Sequence, residues 1–259
     1  MSLGETKIGL ALGAGALRGL CHLGILQVLE EENIPISFIA GTSIGAVIGA
    51  LFAAKKDIEM LIAITKHLRL RHLVDPALSR RGLIQGKKIT ELLHLFLGDI
   101  TFAQLHTPLA VIATDLQRGR EVVLQKGCVV EAVRASISIP GIFTPIIKEE
   151  QILVDGNLVN RVPIDTVRKM GAEKVIGVNI VLPPFTQQRL NNMADIILQS
   201  FDIMQLQASS CQSQLADVLI EPDVATFSPA RLDGADKCIG EGAAAARRAL
   251  PQIRALLKA

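Results

Sequence analysis

Short apolar runs alternate along the chain with longer segments of helical periodicity. Residues 7–12 form an apolar run that predicts a buried strand, and a helix is expected over residues 17–32. Residues 36–40 predict a second strand, which leads into a second helix over residues 43–54. Strands that alternate with helices are typical of a parallel sheet covered on both faces. The pattern therefore predicts an α/β fold.

The rest of the chain continues this alternation with shorter strands. We expect a helix-rich stretch over residues 57–98, in which residues 80–84 are predicted to form a loop. A hairpin is predicted over residues 146–154, turning at Glu149-Glu150. Because no internal repeat or linker is visible, we expect one domain spanning residues 1–259. The remaining predicted strands are 109–114, 121–125, 174–180 and 218–220, and the remaining helices are 191–215 and 236–257.

Composition narrows the class of protein. Apolar residues make up 49% of the chain and charged residues 20%, a balance that excludes intrinsic disorder. The 27 Lys and Arg residues against 25 Asp and Glu give a net charge of +2, and no basic run exceeds two residues, so we expect no nucleic-acid partner. All eight aromatic residues are Phe, which disfavours stacking on sugars or bases. The four cysteines include no CxxC pair and predict neither a zinc site nor a disulfide framework.

Residues 33–54 carry no charge over 22 positions, a length that could span a bilayer. Pro35 and residues 41–43 interrupt this segment, which favours a strand followed by a helix. No secretory signal is apparent at the N-terminus. We therefore expect a cytoplasmic protein, at most in peripheral contact with the inner face of a membrane. The predicted docking surface lies in residues 57–98, with Leu95, Phe96 and Leu97.

Gly41-Thr42-Ser43-Ile44-Gly45 is a Gly-x-Ser-x-Gly motif between a predicted strand and a predicted helix. A sharp strand-to-helix turn needs small neighbours so that the serine hydroxyl can project outward. The helix N-terminus beneath it favours developing negative charge. In this position the motif predicts that Ser43 is a nucleophile, in preference to a serine that only caps the helix.

A nucleophilic serine needs a base, and many hydrolases with this turn use a histidine that follows an acid in the chain. The five histidines of this chain all precede residue 107, so we interpret them as structural or surface residues: His22, His67, His72, His94 and His106. Asp155 ends the apolar strand 152–154 and is the predicted base acting directly on Ser43. Asp115, which also ends a strand, is the alternative acid.

Residues 13–19, Gly-Ala-Gly-Ala-Leu-Arg-Gly, lie between the first strand and the first helix. Small residues in succession expose backbone N–H groups that can bind an oxyanion or a phosphate. A dinucleotide fingerprint would also require an acid at the end of the second strand, where Ala40-Gly41 stand instead. Arg18 could bind a carboxylate or phosphate, or could be a solvated surface charge.

Together these elements resemble the patatin-like phospholipase family. The resemblance covers residues 7–179 and includes the loop 13–19, the turn 41–45, Asp155-Gly156 and the segments 113–116, 134–141 and 159–163. It implies a three-layer α/β/α fold with a mainly parallel central sheet. It also implies acyl-ester hydrolysis in lipids by a Ser43–Asp155 dyad without histidine. The sequence departs from the family pattern at Ala14, Ala16, Asn157 and Arg161.

In this interpretation the N–H groups of Gly13, Gly15 and Ala16 hold the oxyanion, Arg18 contacts substrate, and no metal or other cofactor is required. The substrate is a phospholipid or another acyl ester. A noncatalytic lipid- or acyl-binding protein that retains the pocket is the alternative function, followed by a nucleotide-binding oxidoreductase. The sequence does not indicate the oligomeric state.

Overall fold

Strands and helices follow one another largely in the predicted order. The structure is a computed structural model that describes residues 6–77, 79–180, 193–208 and 215–258. Its strands are β1 Ile8–Leu12, β2 Phe38–Thr42, β3 Gly82–Ile84, β4 Leu109–Asp115, β5 Arg120–Leu124, β6 Gly141–Phe143, β7 Ile146–Lys148, β8 Gln151–Asp155, β9 Lys174–Val178 and β10 Val218–Ile220. Its α-helices are α1 Cys21–Glu31, α2 Ile44–Ala53, α3 Ile58–His67, α4 Lys87–Leu97, α5 Val129–Ser136, α6 Ile164–Lys169, α7 Met193–Ala208 and α8 Ala235–Leu256.

The central sheet is mainly parallel, as predicted. Its strand order is β10-β9-β1-β2-β4-β8-β7, with β5 also paired to β4. The five strands from β10 to β4 run parallel to one another, whereas β5, β7 and β8 join by antiparallel pairing. The helical crossovers α1 and α2 account for the parallel half, because parallel neighbours need a long connection.

Helices cover both faces of this sheet and bury two unequal cores. Large strand residues such as Leu10 and Leu12 point into the main core beneath α1, α2 and α8. The opposite face presents small residues, including Ala11 and Ala40, to α6. Gly9 lies on that side, where an added Cβ would be 2.6 Å from the Cβ of Ala172. The absence of a side chain at Gly9 therefore lets the residues of and after α6 pack close to the sheet. The arrangement is a three-layer α/β/α sandwich.

The register of the sheet brings two predicted site residues to the same level. Thr42, which precedes Ser43, pairs with Ile112 of β4, and Asp155 pairs with the adjacent Ala113 on the other side of the same strand. Strand β4 therefore separates Ser43 and Asp155 by two strand spacings at nearly equal height. Side chains from these positions can meet above the carboxyl end of β2, where open α/β sheets usually form their sites.

Several local predictions are confirmed and others are corrected. The hairpin turns at Glu149 and Glu150, whose φ angles of 48° and 63° suit a two-residue turn between twisted strands. Residues 82–84, predicted to be a loop, form strand β3 paired in parallel with β6. The second strand lies two residues later than predicted. Residues 17–20 of the first predicted helix belong to a 3₁₀ turn, Ala16–Leu20, before α1.

The helix predicted over residues 191–215 is α7, and residues 209–214 at its predicted end lie outside the described residues. Helices α5 and α6 were not predicted.

The three residues named for the predicted membrane-docking surface differ in exposure, and contact of residues 57–98 with a membrane stays a prediction. Leu97 is buried in the main core and Phe96 packs against it, whereas Leu95 is 79% exposed. On the amphipathic helix α4, Leu93 and Leu97 lie one turn apart and face the core, which explains the difference. Within the described ranges no helix has both the length and the apolarity needed to cross a membrane.

Candidate active site

Ser43 occupies a strained turn between β2 and α2. Its φ and ψ are 56° and −124°, a conformation that costs a non-glycine residue about 1–3 kcal/mol. Although Ser43 stands at the N-cap of α2, its side chain makes no capping hydrogen bond to the helix. The hydroxyl is instead turned away from the helix backbone, which contradicts the alternative of a serine that serves only as a cap.

The two glycines of the motif are required by close backbone contacts. A Cβ on Gly41 would lie 2.5 Å from the carbonyl oxygen of Gly45. A Cβ on Gly45 would lie 2.2 Å from the carbonyl oxygen of Leu12. Both distances are far inside van der Waals contact, so α2 can start directly against the end of β1 only if these positions lack side chains.

The Ser43 hydroxyl donates a hydrogen bond to a carboxylate oxygen of Asp155, with an Oγ–Oδ2 distance of 2.6 Å. Both side chains are almost fully buried. Burial raises the pKa of Asp155 from 3.8 to about 6. The Ser43 hydroxyl, the Asn157 N–H at 2.8 Å from Oδ1 and the positive charge of Arg161 act in the opposite direction. Asp155 is therefore a stronger base than an exposed aspartate and is still mostly ionised at neutral pH.

The end of α5 and the residues that follow it hold the backbone of each dyad residue. The N–H of Ser43 donates to the hydroxyl oxygen of Ser136 at 2.9 Å, and that hydroxyl donates to the Ile112 carbonyl. The N–H of Asp155 donates to the Ser138 carbonyl at 3.0 Å. Ser138 is held in turn by the buried guanidinium of Arg134, 2.6 Å from its Oγ. From the sequence, residues 134–141 were recognisable only as a segment that resembles the family, without these roles.

The alternative acid and the histidines lie elsewhere. Asp115 binds the guanidinium of Arg118 at 2.9 Å and two backbone N–H groups of its own turn. Arg118 also holds the pKa of Asp115 below its usual range. All five histidines are described, and none makes a hydrogen bond to Ser43 or Asp155. Geometrically, Asp155 is thus the partner of Ser43.

His22 is the one histidine that supports the site. It is fully buried, and its Nε2 lies 2.8 Å from the carbonyl oxygen of Gly13. Burial lowers its pKa to about 4, so the ring is neutral at neutral pH, and Nε2 must carry the proton because a carbonyl only accepts. His22 therefore fixes the conformation of the glycine-rich loop.

The loop residues differ in how their N–H groups are used. The N–H of Gly13 donates to the Val178 carbonyl and that of Ala14 to the Arg161 carbonyl, both at 3.0 Å. The expected role of Gly13 as an oxyanion donor therefore does not fit the structure. Gly15 and Ala16 line the recess that contains Ser43, and no acceptor among the described residues is recorded for their N–H groups.

Arg18 is buried, so it is not a solvated surface charge. One guanidinium nitrogen lies 2.6 Å from a carboxylate oxygen of Asp202 on α7, and Nε has no hydrogen-bond partner among the described residues. Arg161 is buried beside it and donates to the Ile180 carbonyl at 2.8 Å. Burial lowers the pKa of Arg161 to about 10, and the neighbouring charge of Arg18 adds to this effect.

Two cavities meet at Ser43. A polar recess of about 30 Å³ contains Asp155, Arg18, Arg161 and Asp202. An apolar cleft of about 210 Å³ extends from Ser43 along residues of the helix-rich stretch 57–98 and of β6. Leu198 of α7 lines both cavities, so α7 lies over the nucleophile. The cleft walls include Val47, Leu73, Val74, Ile89, Ile137 and Phe143.

The arrangement suits acyl transfer. It offers a nucleophile hydrogen-bonded to a base, backbone donors beside the nucleophile and an apolar cleft that the nucleophile lines. In the described part of the chain, no three His, Cys, Asp or Glu side chains are grouped as metal ligands would be.

A strained serine after a strand of an α/β sheet, with a carboxylate in contact, is typical of serine hydrolases. The chain belongs to the patatin-like phospholipase family: the family model matches residues 10–168, more than half of the chain. This membership supports a lipid hydrolase activity.

Relatives in sequence agree with this assignment. An NTE family protein of Mycobacterium tuberculosis is 33% identical over 210 residues, covering 76% of this chain and 58% of that protein. The neuropathy target esterase of Drosophila melanogaster is 31% identical over 185 residues, covering 67% of this chain and 13% of that protein. The chain thus spans little more than half of the first relative and a small part of the second.

Solved structures show the same fold at low sequence identity. VipD from Legionella pneumophila matches with a TM-score of 0.69 and 12% identity, covering 95% of this chain and 67% of VipD. The type III effector ExoU of Pseudomonas aeruginosa matches with a TM-score of 0.52 and 14% identity, covering 96% of this chain and 53% of ExoU.

Proposed function

We propose that the protein is a serine acyl hydrolase of lipid esters, of the phospholipase A or lysophospholipase type, with Ser43 as nucleophile and Asp155 as its base. The observation that carries the proposal is the 2.6 Å hydrogen bond between the two side chains, with Ser43 also lining an apolar cleft. Polar and apolar surfaces meet at the hydroxyl, as they do at the ester of a lipid.

In the first half of the proposed reaction Asp155 takes the proton of Ser43 as Oγ forms a bond to the ester carbonyl carbon. The carbonyl electron pair moves to oxygen, which the N–H groups of Gly15 and Ala16 stabilise. Collapse of this intermediate breaks the bond to the leaving alcohol, and Asp155 returns the proton to the alcohol oxygen. The acyl group is then bound to Ser43.

In the second half water attacks the acyl-enzyme while Asp155 takes one of its protons. Collapse releases the fatty acid, and the proton returns to Oγ of Ser43. The same carboxylate thus acts as base and acid twice, without an imidazole. Its pKa of about 6 suits this work near neutral pH because it can both accept and release the proton.

The two cavities suggest an orientation for the bound substrate. The acyl chain enters the apolar cleft, while the headgroup side lies toward the polar recess. There Arg18, with a buried Nε that lacks a partner among the described residues, is the proposed substrate-binding residue for a phosphate or carboxylate. Asp202 now occupies one side of that guanidinium, so an anionic group would take its place at Arg18.

A fluorophosphonate probe tests the nucleophile. We expect stoichiometric labelling of Ser43 in the wild type, and loss of both labelling and esterase activity in Ser43→Ala. Full labelling of the Ala variant would remove Ser43 from the mechanism. Lipid binding without labelling of the wild type would favour the noncatalytic lipid-binding alternative.

Turnover of a short-chain ester tests the dyad. Asp155→Asn should reduce turnover about as much as Ser43→Ala, whereas the matched variant Asp115→Asn should retain it. Single replacements of His67, His72, His94 and His106, which do not contact the glycine-rich loop, should reduce turnover little. Activity should persist in the presence of a metal chelator. A histidine variant as inactive as Ser43→Ala, with Asp155→Asn near wild type, would show a triad instead.

We also propose a cytoplasmic location with peripheral membrane contact. The three described cysteines, Cys21, Cys128 and Cys238, are free thiols, which is typical of a reducing compartment. Extraction from membranes by high salt or carbonate tests the mode of contact, because retention of the native protein would indicate a spanning segment.

A further inference from the structure

A cavity of about 710 Å³, larger than the two at Ser43, lies against α5. Helices α4 and α5, the end of β5 and strand β7 surround it. None of its lining residues lines the recess or the cleft at Ser43. Its volume falls in the range of pockets that hold a small ligand, about 300–1,000 Å³. The proposed reaction leaves this cavity unused.

The floor of this cavity is apolar. Ala135 and Leu153 belong to a small buried cluster separate from the main core, and the half-buried Leu124 and Ile146 pack against it. All four residues line the cavity. Leu124 and Ile146 are half-buried and offer it apolar surface, whereas Ala135 and Leu153 are buried. The other aliphatic residues that line the cavity are the exposed Ile147 and the buried Val130 and Ala132.

The rim is cationic. Lys87, Lys126, Lys148 and Arg134 line the cavity against two acids. Glu131 is already within 3.5 Å of Lys148, and Arg134 is occupied by the oxygen atoms of residues 85, 138 and 144. For the ammonium groups of Lys87 and Lys126, the described residues supply no ion pair. The rim therefore offers unpaired positive charge next to apolar surface.

We propose that this cavity is a second ligand site, which binds a single-chain amphiphile with an anionic head, namely a long-chain carboxylate. The apolar floor takes the chain, and the lysine rim takes the head by charge complementarity. A carboxylate of this kind is the acid that lipid-ester hydrolysis releases, so the choice of ligand rests on the proposed function. Its proposed source is the reaction product.

The site is one helix away from the nucleophile. Val130, Ala132 and Ala135 of α5 line the cavity, and Ser136 at the end of the same helix accepts the hydrogen bond from the Ser43 N–H. An occupant would thus contact the helix that fixes the position of Ser43, without entering the catalytic cleft.

The test uses decanoate below its micelle concentration and isothermal titration calorimetry. Wild-type protein is first blocked at Ser43 with a dodecyl fluorophosphonate, whose chain fills the catalytic cleft, and Ser43→Ala serves as the unblocked form. We expect the blocked protein to bind one decanoate. Chains from octanoate to decanoate should bind about fourfold more tightly for each methylene that the floor buries. Blocked protein that binds no decanoate would overturn the proposal.

Charge reversal identifies the site. Lys87→Glu/Lys126→Glu should weaken decanoate binding by about tenfold or more, because the two unpaired attractive charges of the rim become repulsive. The matched double variant Lys55→Glu/Lys237→Glu, at exposed lysines outside the cavity, should bind as wild type does. Equal affinity of the two double variants would refute the cavity as the site.

Further ligands test which class of molecule the cavity binds, and the Ser43→Ala variant keeps this test independent of the proposed function. Octyl glucoside binding as tightly as octanoate would overturn the requirement for an anionic head, and decyl phosphate binding more than tenfold tighter than decanoate would overturn the choice of carboxylate. Absence of labelling at Ser43 would contradict the proposed function alone. In that event the titrations of Ser43→Ala, with and without the lysine reversals, still decide whether the cavity binds decanoate.

Discussion

The pH dependence of esterase activity follows from the burial of Asp155. The pKa of this carboxyl rises from 3.8 to about 6, and only its ionised form can accept the Ser43 proton. Activity should therefore rise with pH and reach a plateau above about 7. At pH 5 about one tenth of the carboxyl groups are ionised if the pKa is 6, whereas about nine tenths would be ionised at the ordinary value.

The measurement is kcat/KM for a short soluble ester between pH 5 and 8, since this ratio reports ionisation in the free enzyme. The rate of fluorophosphonate inactivation of Ser43 should follow the same curve. We expect activity at pH 5 to be about one tenth of the plateau, with circular dichroism showing an unchanged fold. Activity that stays level from pH 8 to pH 5 in a folded protein would refute Asp155 as a base of raised pKa.

A charge variant provides the second part of this test. Arg161 lowers the pKa of Asp155 by its positive charge. In Arg161→Met, the fall of kcat/KM on the acid side of the pH profile, here called the acid limb, should therefore move to higher pH. The matched variant is Arg231→Met, at an exposed arginine outside both cavities, and it should leave the limb in place. A limb that moved equally in both variants would show a general effect of net charge and not an effect on Asp155.

Three further predictions concern stability. His22→Leu removes the donor to the loop carbonyl and should cost about 1–3 kcal/mol in urea unfolding, part of which His22→Gln should restore. Gly45→Ala should destabilise strongly because its Cβ would meet the Leu12 carbonyl oxygen at 2.2 Å, whereas Gly240→Ala, an open helical position, should stabilise by about 0.5–1 kcal/mol. Asp155→Asn should raise the free energy of unfolding above pH 6 by up to about 3 kcal/mol. This gain should shrink as the pH falls from 6 toward 4, since the folded wild type binds the carboxyl proton more tightly than the unfolded state does. Unfolding of each variant beside wild type checks these signs, and an Asn variant less stable than wild type at pH 8 would contradict the last.

The site residues that could be located from the sequence are those marked by the residues next to them in the chain. Ser43 follows an apolar strand directly and Asp155 ends another, so strand boundaries alone point to both residues. Their approach across β4 depends on register between segments more than 100 residues apart, which no local pattern contains. The place of Asp155 at a strand end predicted that pairing, the resemblance to a family also implied it, and the geometry is in accord with it.

The features that sequence reasoning missed depend on distant contacts or on very short elements. Arg18 meets Asp202 across 184 residues, so its burial could not be read from the loop that contains it. Strand β3 has three residues, too few for a periodic signal, and it forms by pairing with β6. His22 could have been found from its place on the apolar face of the first predicted helix, where a buried ring requires a partner.

The geometry of the site explains how an aspartate could replace a histidine as base. A carboxylate of ordinary pKa is a weak base for an alcohol, and burial of Asp155 strengthens it at a cost to folding of about 3 kcal/mol when it is ionised. The strained backbone of Ser43 adds a further cost. Ser136 and Ser138 accept hydrogen bonds from the backbone N–H groups of Ser43 and Asp155 and fix both backbones, so the folded protein already carries these costs. Proton transfer then requires little rearrangement, because the acceptor already lies 2.6 Å from Oγ.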